Sequence, residues 1–286
     1  MYVTNEELTK IFEDTEEWYQ NDETLKEAVA ESIKKTELYM ENEAPALPEA
    51  KPHEKTVVSV SKYRTFENAQ FYKRKNPELS VAVLNFASAT NPGGGVTIGS
   101  HAQEECLCRC STLYPTLDTD DLLKKYYDFH YNRHNALYTD ACIYTPDILV
   151  IKSDTDKPQR LPKDKWIKVD VLTCAAPNLH HRPSSKYTPG SGKHIAVSDD
   201  ELYDIHISRA KQILTVAAHH GVDVLILGAF GCGAFRNDPN IVAKAYAEVV
   251  KQFNGYFKEI HFAVYCPPHK GEDNYIAFAK VFNDKK

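Results

Sequence analysis

The sequence lacks any long apolar run, and it has no excess of basic residues. No stretch of the 286 residues reaches the roughly 18 consecutive apolar residues of a membrane-spanning helix, so none is expected. The 34 Lys and Arg residues against 40 Asp and Glu residues give a net charge of −6. Duplex DNA or RNA is therefore not expected as the main ligand, because phosphate backbones require clustered basic side chains.

The N-terminus also lacks the features of a secretory signal. Residues 1–18 are acidic and contain neither the basic region nor the apolar region of such a signal. The 7 cysteines are an odd number scattered through apolar segments, which is typical of a reducing compartment and not of a disulfide framework. We therefore expect a cytoplasmic protein with no membrane partner.

Two common phosphate-binding motifs are absent. The segment 189–194, PGSGKH, resembles a P-loop, but His194 replaces the required Ser or Thr and Tyr187 replaces the first glycine. The segment 228–233 has the order G-x-x-G-x-G, which is not the dinucleotide fingerprint. Neither a P-loop NTPase nor a Rossmann dehydrogenase is supported.

Potential metal ligands do not form a recognisable set either. Cys106, Cys108 and Cys110 have CxCxC spacing, which on a helix places Cys108 away from the other two, so no tetrahedral site assembles from them alone. The adjacent histidine pairs at 180–181 and 219–220 point apart on a regular element. We expect no metal and no other cofactor.

The chain is organised around residues 81–113. The apolar run Val81–Phe86 predicts a buried strand, which leads into three consecutive glycines at 93–95. Without Cβ atoms, these residues can adopt positive φ angles and bring the main chain close to a ligand.

Gln103, Glu104 and Glu105 follow after a spacer at 96–102 and open an apolar-periodic segment. This predicts the first turn of a helix that runs to near Pro115, and free N–H groups and the helix dipole favour carboxylates in a first turn. Such a preference by itself would explain both acids without any function. The combination of a strand, a triple glycine and Gln-Glu-Glu is a more specific signal of a functional site than any one of these features alone.

A second glycine loop, GAFGCGAFRN at 228–237, follows an apolar strand at 222–230 and precedes a helix beginning near Pro239. Such a loop can present N–H groups to a phosphate or diphosphate at a helix N-terminus. The alternative is a tight turn that requires positive φ and binds nothing.

Strands and helices alternate through the second half, and the strands are apolar on both faces. This pattern predicts an α/β fold with a mostly parallel or mixed sheet between helices, and ligands beyond the carboxyl ends of the strands.

Thr4-x-x-Glu7 and Ser198-x-x-Glu201 are capping boxes. We predict two helices up to about Asn42, followed by a Pro-containing linker. Residues 1–53 are therefore predicted to be an N-terminal extension that packs on a main domain at 54–286. The polar insertion at 177–197 is interpreted as a lid or an idiosyncratic loop.

NPGGG followed by QEE resembles the GGG-X(6–8)-QEE motif of poly(ADP-ribose) glycohydrolases, especially the compact bacterial and fungal type. The GxGxF loop at 231–235 is similar to the diphosphate-binding loop of macrodomains. The resemblance covers about residues 56–282. It implies a three-layer α/β/α macrodomain with a mixed central sheet and an N-terminal helical extension. It also implies metal-independent hydrolysis of ribose–ribose O-glycosidic bonds of poly(ADP-ribose), mainly from the free end, with release of ADP-ribose.

By this resemblance, Glu105 protonates the leaving oxygen and then activates water, while Glu104 binds ribose hydroxyls. Asn91 is the expected partner of the terminal ribose, with Asn85 and Ser88 as competitors. Phe235 would face the distal ribose, with a buried loop anchor as the alternative. The full set of expected substrate-binding residues is Asn91, Gly93, Gly94, Gly95, Val96, Gln103, Gly231, Cys232, Gly233, Ala234 and Phe235.

Two other functions share these motifs. One is hydrolysis of mono-ADP-ribose on a protein or nucleic-acid acceptor, because the motifs recognise ADP-ribose and not what is attached to it. The other is a non-catalytic macrodomain that only binds ADP-ribose or ADP-ribosylated macromolecules. The intact Gln-Glu-Glu favours an enzyme, since a binding module needs no poised acid.

Overall fold

The computed structural model describes residues 3–183, 193–267 and 271–283. The helices are α1 (Asn5–Asn21), α2 (Glu23–Lys35), α3 (Thr65–Lys75), α4 (Gln103–Cys110), α5 (Leu113–Leu117), α6 (Asp120–Leu122), α7 (Asp128–Asn132), α8 (Asp199–His219), α9 (Pro239–Gln252) and α10 (Asp273–Phe282). The strands are β1 (Glu37–Tyr39), β2 (Val57–Ser61), β3 (Val81–Phe86), β4 (Cys142–Val150), β5 (Ile167–Cys174), β6 (Val224–Leu227) and β7 (Glu259–Ala263).

Short irregular helices complete these elements. Two 3-10 turns lie at Val96–Ile98 and Lys163–Lys165, and a π-helical turn at Leu123–Tyr127 joins α6 to α7. Part of the insertion at 177–197 lies outside the described residues, as does Tyr187 of the P-loop comparison. In the described part of the chain, no helix has the length and apolar character needed to cross a membrane.

The described strands form one seven-stranded mixed sheet in the order β1-β4-β5-β3-β6-β7-β2. Strands β5, β3, β6, β7 and β2 run parallel to one another, while β4 is antiparallel to both β5 and β1. The mixed sheet predicted from the sequence is therefore confirmed.

Both faces of the sheet are buried, which explains the continuous apolar character of its central strands. In β3, Ala82 and Leu84 join the cluster that includes α8, α9 and α10, whereas Val81 and Val83 join the cluster on the other face with α1, α3, α4 and α5. Each fully buried aliphatic side chain contributes about 1.5–3 kcal/mol of transfer free energy. The result is a three-layer α/β/α arrangement.

The sequence predicted the starts of the long helices better than some of their ends. Thr4 and Ser198 form capping boxes with Glu7 and Glu201, as predicted. The helix predicted to run from Gln103 to Pro115 instead ends at Cys110. The carbonyl of Cys110 accepts hydrogen bonds from the main chain after β4, so tertiary pairing turns the chain out of the helix.

The N-terminal extension differs from the prediction of two helices up to Asn42. Helices α1 and α2 are followed by strand β1, which pairs antiparallel with β4 and lies at the edge of the sheet. The short sequence Glu37–Tyr39 has no strand periodicity of its own, and its conformation is set by the exposed edge of β4. The domain boundary at residue 53 stays a prediction.

Candidate active site

The two glycine loops lie at the same edge of the sheet. They follow β3 and β6, which are adjacent and parallel, so their carboxyl ends meet there. The rings of Phe86 and Phe230, at the starts of the two loops, are 5.6 Å apart. A Cβ on Gly228 would lie 2.6 Å from the carbonyl oxygen of Ala263 and 2.8 Å from Cζ of Phe86, so the first glycine of the second loop leaves no room for a side chain.

The first loop brings main chain against both acids. Gly93 and Gly94 have φ angles of 65° and 59°, in the left-handed region that favours glycine. A Cβ on Gly94 would lie 2.6 Å from Oε1 of Glu105 and 3.0 Å from Oε2 of Glu104. The two carboxylates therefore converge on one point of the loop.

Glu105 has two differently placed carboxylate oxygens. Oε1 accepts a 2.8 Å hydrogen bond from the main-chain N–H of Gly95. Oε2 is buried and has no hydrogen-bond partner among the residues that the structure describes. The residue is 6% exposed. A buried carboxylate oxygen without a partner is costly for stability, so a functional reason for it is expected.

Glu104 is held on both oxygens. Oε1 accepts a hydrogen bond from Nδ2 of Asn85 at 3.1 Å, and Oε2 accepts one from the N–H of Ser88 at 2.7 Å. Burial, and then the adjacent carboxylate of Glu105, raise the pKa of Glu104 well above its ordinary value. Asn85 and Ser88, considered from the sequence as ribose contacts, thus bind Glu104 in the structure.

Gln103 connects the start of α4 to the end of β3. Its Oε1 accepts from the N–H of Phe86 at 2.9 Å, and its Nε2 donates to the carbonyl of Leu84 at 2.8 Å and to the hydroxyl of Thr65 at 3.2 Å. The β3–β6 ladder ends before these residues. The amide takes the place of a neighbouring strand there, so its oxygen and its nitrogen are both engaged in contacts within the protein.

Asn91 and Val96 organise the first loop internally. Nδ2 of Asn91 donates to the carbonyl of Gly94, and the N–H of Gly94 donates back to the carbonyl of Asn91 at 3.0 Å. Val96 is fully buried, and its N–H donates to the carbonyl of Gly93 at 3.1 Å. The loop is therefore a closed, hydrogen-bonded turn.

The second loop is organised by Asn237, which sequence reasoning missed. Its Nδ2 donates to the carbonyls of Pro177, Gly231 and Phe235 at 2.8, 3.1 and 3.2 Å. Its Oδ1 lies 2.7 Å from Nε2 of His206, a histidine whose pKa burial lowers to about 4. The sequence signal was an Asn directly before the Asp238-Pro239 helix start, which local pattern does not separate from a turn residue.

Several N–H groups of this loop are free to bind a ligand. The N–H groups of Gly231, Gly233, Ala234 and Phe235 donate to no residue that the structure describes, whereas that of Cys232 bonds to Ala229. Gly233 and Ala234 are exposed.

Phe235 is half-buried, and the centre of its ring lies 6.3 Å from that of Tyr138. Its carbonyl accepts a hydrogen bond from the N–H of Leu179, at the start of the described part of the 177–197 insertion. Phe235 thus anchors the loop and remains partly exposed.

The cysteines behind the acids are held as thiols. Burial raises the pKa of Cys106, Cys108 and Cys110, which makes them weak nucleophiles and poor metal ligands. Within residues 3–183, 193–267 and 271–283, no group of three or more His, Cys, Asp or Glu side chains could hold a metal ion.

A cavity of about 790 Å³ lies elsewhere, lined in part by Lys73, Trp166 and Lys168. Trp166 and Lys168 are at the amino-terminal end of β5 and Lys73 is in the last turn of α3, opposite the glycine loops. We regard it as a surface groove and not as the site, because the paired acids and the free N–H groups are at the other edge.

The comparisons with known proteins agree with this geometry. Residues 6–153 match the family model described as microbial-type PARG (poly(ADP-ribose) glycohydrolase), catalytic domain. No curated protein matches the chain.

Solved structures of two bacterial glycohydrolases are similar over almost the whole chain. The poly(ADP-ribose) glycohydrolase of Thermomonospora curvata is 31% identical with a TM-score of 0.82, covering 96% of this chain and 99% of its own. The same enzyme bound to the inhibitor ADP-HPD is 32% identical with a TM-score of 0.80, again covering 96% and 99%. The enzyme of Deinococcus radiodurans in complex with ADP-ribose is 32% identical with a TM-score of 0.74, covering 90% and 97%.

Proposed function

The chain belongs to the microbial-type poly(ADP-ribose) glycohydrolases and is an enzyme that hydrolyses poly(ADP-ribose); from this premise we propose how it acts. It cleaves the ribose–ribose O-glycosidic bond mainly at the free end of the polymer and releases ADP-ribose. The site is the edge where the two glycine loops meet. One observation carries the proposal: Glu105 is fixed through Oε1 while its buried Oε2 has no described partner.

Glu105 is the general acid and then the general base. Its free oxygen protonates the bridging oxygen as the C1–O bond breaks and an oxocarbenium-like sugar forms. The leaving ribose departs with that proton as its hydroxyl. Water then adds to C1 and gives a proton to Glu105, which restores the acid and completes the hydrolysis. General acid–base catalysis of this kind contributes about 10²–10⁴-fold.

Glu104 orients the sugar. Two buried carboxyl groups that converge on Gly94 disfavour double ionisation, and burial and Glu105 raise the pKa of Glu104. Both effects favour a form of the pair that keeps one proton, which general acid catalysis requires. Asn85 and Ser88 fix Glu104, so that its carboxyl group can bind ribose hydroxyls in one orientation.

The second loop binds the diphosphate of ADP-ribose. Main-chain N–H groups at Gly231, Gly233 and Ala234 provide donors without adding basic side chains, in agreement with an acidic protein that binds an anionic ligand. The exposed part of Phe235 packs against the distal ribose. Gln103, Asn91 and Val96 shape the site through contacts within the protein.

The test is release of ADP-ribose from automodified polymerase by the wild-type protein and by Glu105→Gln. The amide keeps an oxygen for the Gly95 bond but has no acidic proton to transfer, so kcat is expected to fall by at least about 10²-fold. Affinity for ADP-ribose, measured calorimetrically, should change by no more than a few-fold. Glu31→Gln, an exposed carboxylate on α2, is the control.

The alternatives give different results in the same assay. Binding of ADP-ribose without any release by the wild-type protein would identify a non-catalytic macrodomain. Release from mono-modified peptide or nucleic acid but not from polymer would identify a mono-ADP-ribosyl hydrolase. Near-normal turnover by Glu105→Gln would mean that another residue is the acid.

A further inference from the structure

Helix α1 lies directly against the loop that carries the triple glycine. Gly99, at the end of the 3-10 turn Val96–Ile98, has a φ of 73°, and a Cβ there would lie 2.0 Å from the carbonyl oxygen of Asn5. The side chain of Asn5 also lies 2.9 Å from Nε2 of His101. Main chain therefore packs on main chain, with no room for a side chain between them.

The same helix also holds α4, which carries the two acids. The hydroxyl of Thr15 is fully buried and lies 2.8 Å from the carbonyl oxygen of Arg109 and 3.0 Å from that of Ile11. Arg109 in turn donates from Nη1 to the carbonyl of Ser100 at 2.7 Å, so α4 and the end of the loop are tied together.

A third contact between α1 and the glycine loop is made through a pair of aromatic rings. The ring of Phe12 meets that of Tyr114 edge to face, with centroids 5.0 Å apart. A Cβ on Gly93 would lie 2.7 Å from Cδ2 of Tyr114, so the loop rests on this ring pair. Phe12 is 1% exposed, so this ring pair is enclosed by the protein on the side of Phe12.

From these three contacts we propose that α1 is a positioning element of the active site and that Thr15 and Asn5 are positioning residues. The inference rests on the proposed function. The hydrogen bond from Gly95 to Glu105 joins the loop to α4, and its length of 2.8 Å depends on where α1 holds both partners. A displacement of about 1 Å at such a site can cost 10²-fold in rate.

Two glycines with the same backbone conformation provide a matched test. Gly99→Ala and Gly221→Ala both place Ala at positive φ, at 73° and 68°. The added methyl at Gly221 meets no described atom within 4 Å, whereas at Gly99 it pushes the loop from α1. The variants share the conformational cost, so we expect kcat on polymer to fall by at least about 10-fold in Gly99→Ala alone, with KM changed by less than about threefold.

Thr15→Val and Thr15→Ser give a second test that does not depend on the glycines. Val keeps the shape of Thr but lacks the hydroxyl, whereas Ser keeps the hydroxyl. We therefore expect kcat to fall in Thr15→Val and to stay near the wild-type value in Thr15→Ser. The proposal is overturned if Gly99→Ala keeps kcat within about threefold of Gly221→Ala, or if Thr15→Val keeps it within about threefold of Thr15→Ser. If Gly99→Ala does not fold, the Thr15 pair decides.

Failure of this inference is separable from failure of the proposed function. A wild-type protein that releases no ADP-ribose refutes the function. An active wild-type protein with fully active α1 variants refutes only the positioning role.

Discussion

Replacing Gly94 by Ala perturbs the point at which the two acids converge. The new Cβ would lie 2.6 Å from Oε1 of Glu105 and 3.0 Å from Oε2 of Glu104. The loop cannot move easily, because Gly94 donates a hydrogen bond to the carbonyl of Asn91 and accepts one from its side chain. The carboxylates must move instead.

Two effects of different size follow from this substitution. Ala in the left-handed region, at a φ of 59°, costs about 1–2 kcal/mol of unfolding free energy. Oε1 of Glu105 must also move by about 0.8 Å to reach the 3.4 Å of ordinary contact. A displacement of this size in an acid catalyst predicts a loss of about 10²-fold in kcat, far more than the loss of stability would cause.

Gly221→Ala provides the comparison, because it carries a similar backbone cost without any described atom within 4 Å of the new methyl. Both variants should lose a few degrees in Tm, at about 2–4 °C per kcal/mol for a chain of this size class. The assay is initial-rate release of ADP-ribose from polymer at saturating substrate, with Tm measured in the same buffer.

The reasoning is refuted if Gly94→Ala retains kcat within about threefold of Gly221→Ala. That result would mean that the acids tolerate displacement, or that they do not act at this edge of the loop. A lower Tm in Gly94→Ala than in Gly221→Ala is compatible with the argument, since the clash adds to the backbone cost.

The second loop and its histidine support two further predictions. Asn237→Ala removes the side-chain amide that donates to the carbonyls of Pro177, Gly231 and Phe235. It should therefore lower the unfolding free energy by about 1–3 kcal/mol and weaken ADP-ribose binding at least about 10-fold, measured by denaturation and calorimetry. The exposed neighbour Asn240→Ala is the control, and equal affinities would contradict the prediction. His206 has a pKa lowered to about 4, so between that value and about 6.5 the unfolded state binds the extra proton and stability falls as pH falls. His206→Gln should therefore reduce the loss of unfolding free energy between pH 7 and pH 5 by about 2 kcal/mol, and an unchanged loss would argue against a neutral buried histidine.

Much of the fold was predictable because its signals are local. The alternation of apolar strands and helices predicted the mixed sheet, and capping boxes at Thr4 and Ser198 marked two helix starts. Strand β1 was missed, since Glu37–Tyr39 becomes a strand only by pairing with β4. The end of α4 at Cys110 was missed for the same reason.

The candidate site shows a similar division. The glycines and the Gln-Glu-Glu segment were found from type and spacing, and the structure brings them together. The roles of their neighbours were not found, because Asn85 and Asn237 have polar partners distant in sequence, Glu104 and His206. Sequence spacing does not show whether a polar side chain at a strand end faces the ligand or forms hydrogen bonds within the protein.

The sequence by itself determined where glycine permits a positive φ, which segments are apolar on both faces, and that two acids begin one helix. Each of these depends on residue type and on neighbours along the chain. Tertiary structure decided which polar atoms are satisfied and which remain free. Oε1 and Oε2 of Glu105 are chemically identical in the chain, and they differ only because folding places the N–H of Gly95 beside one of them and buries the other.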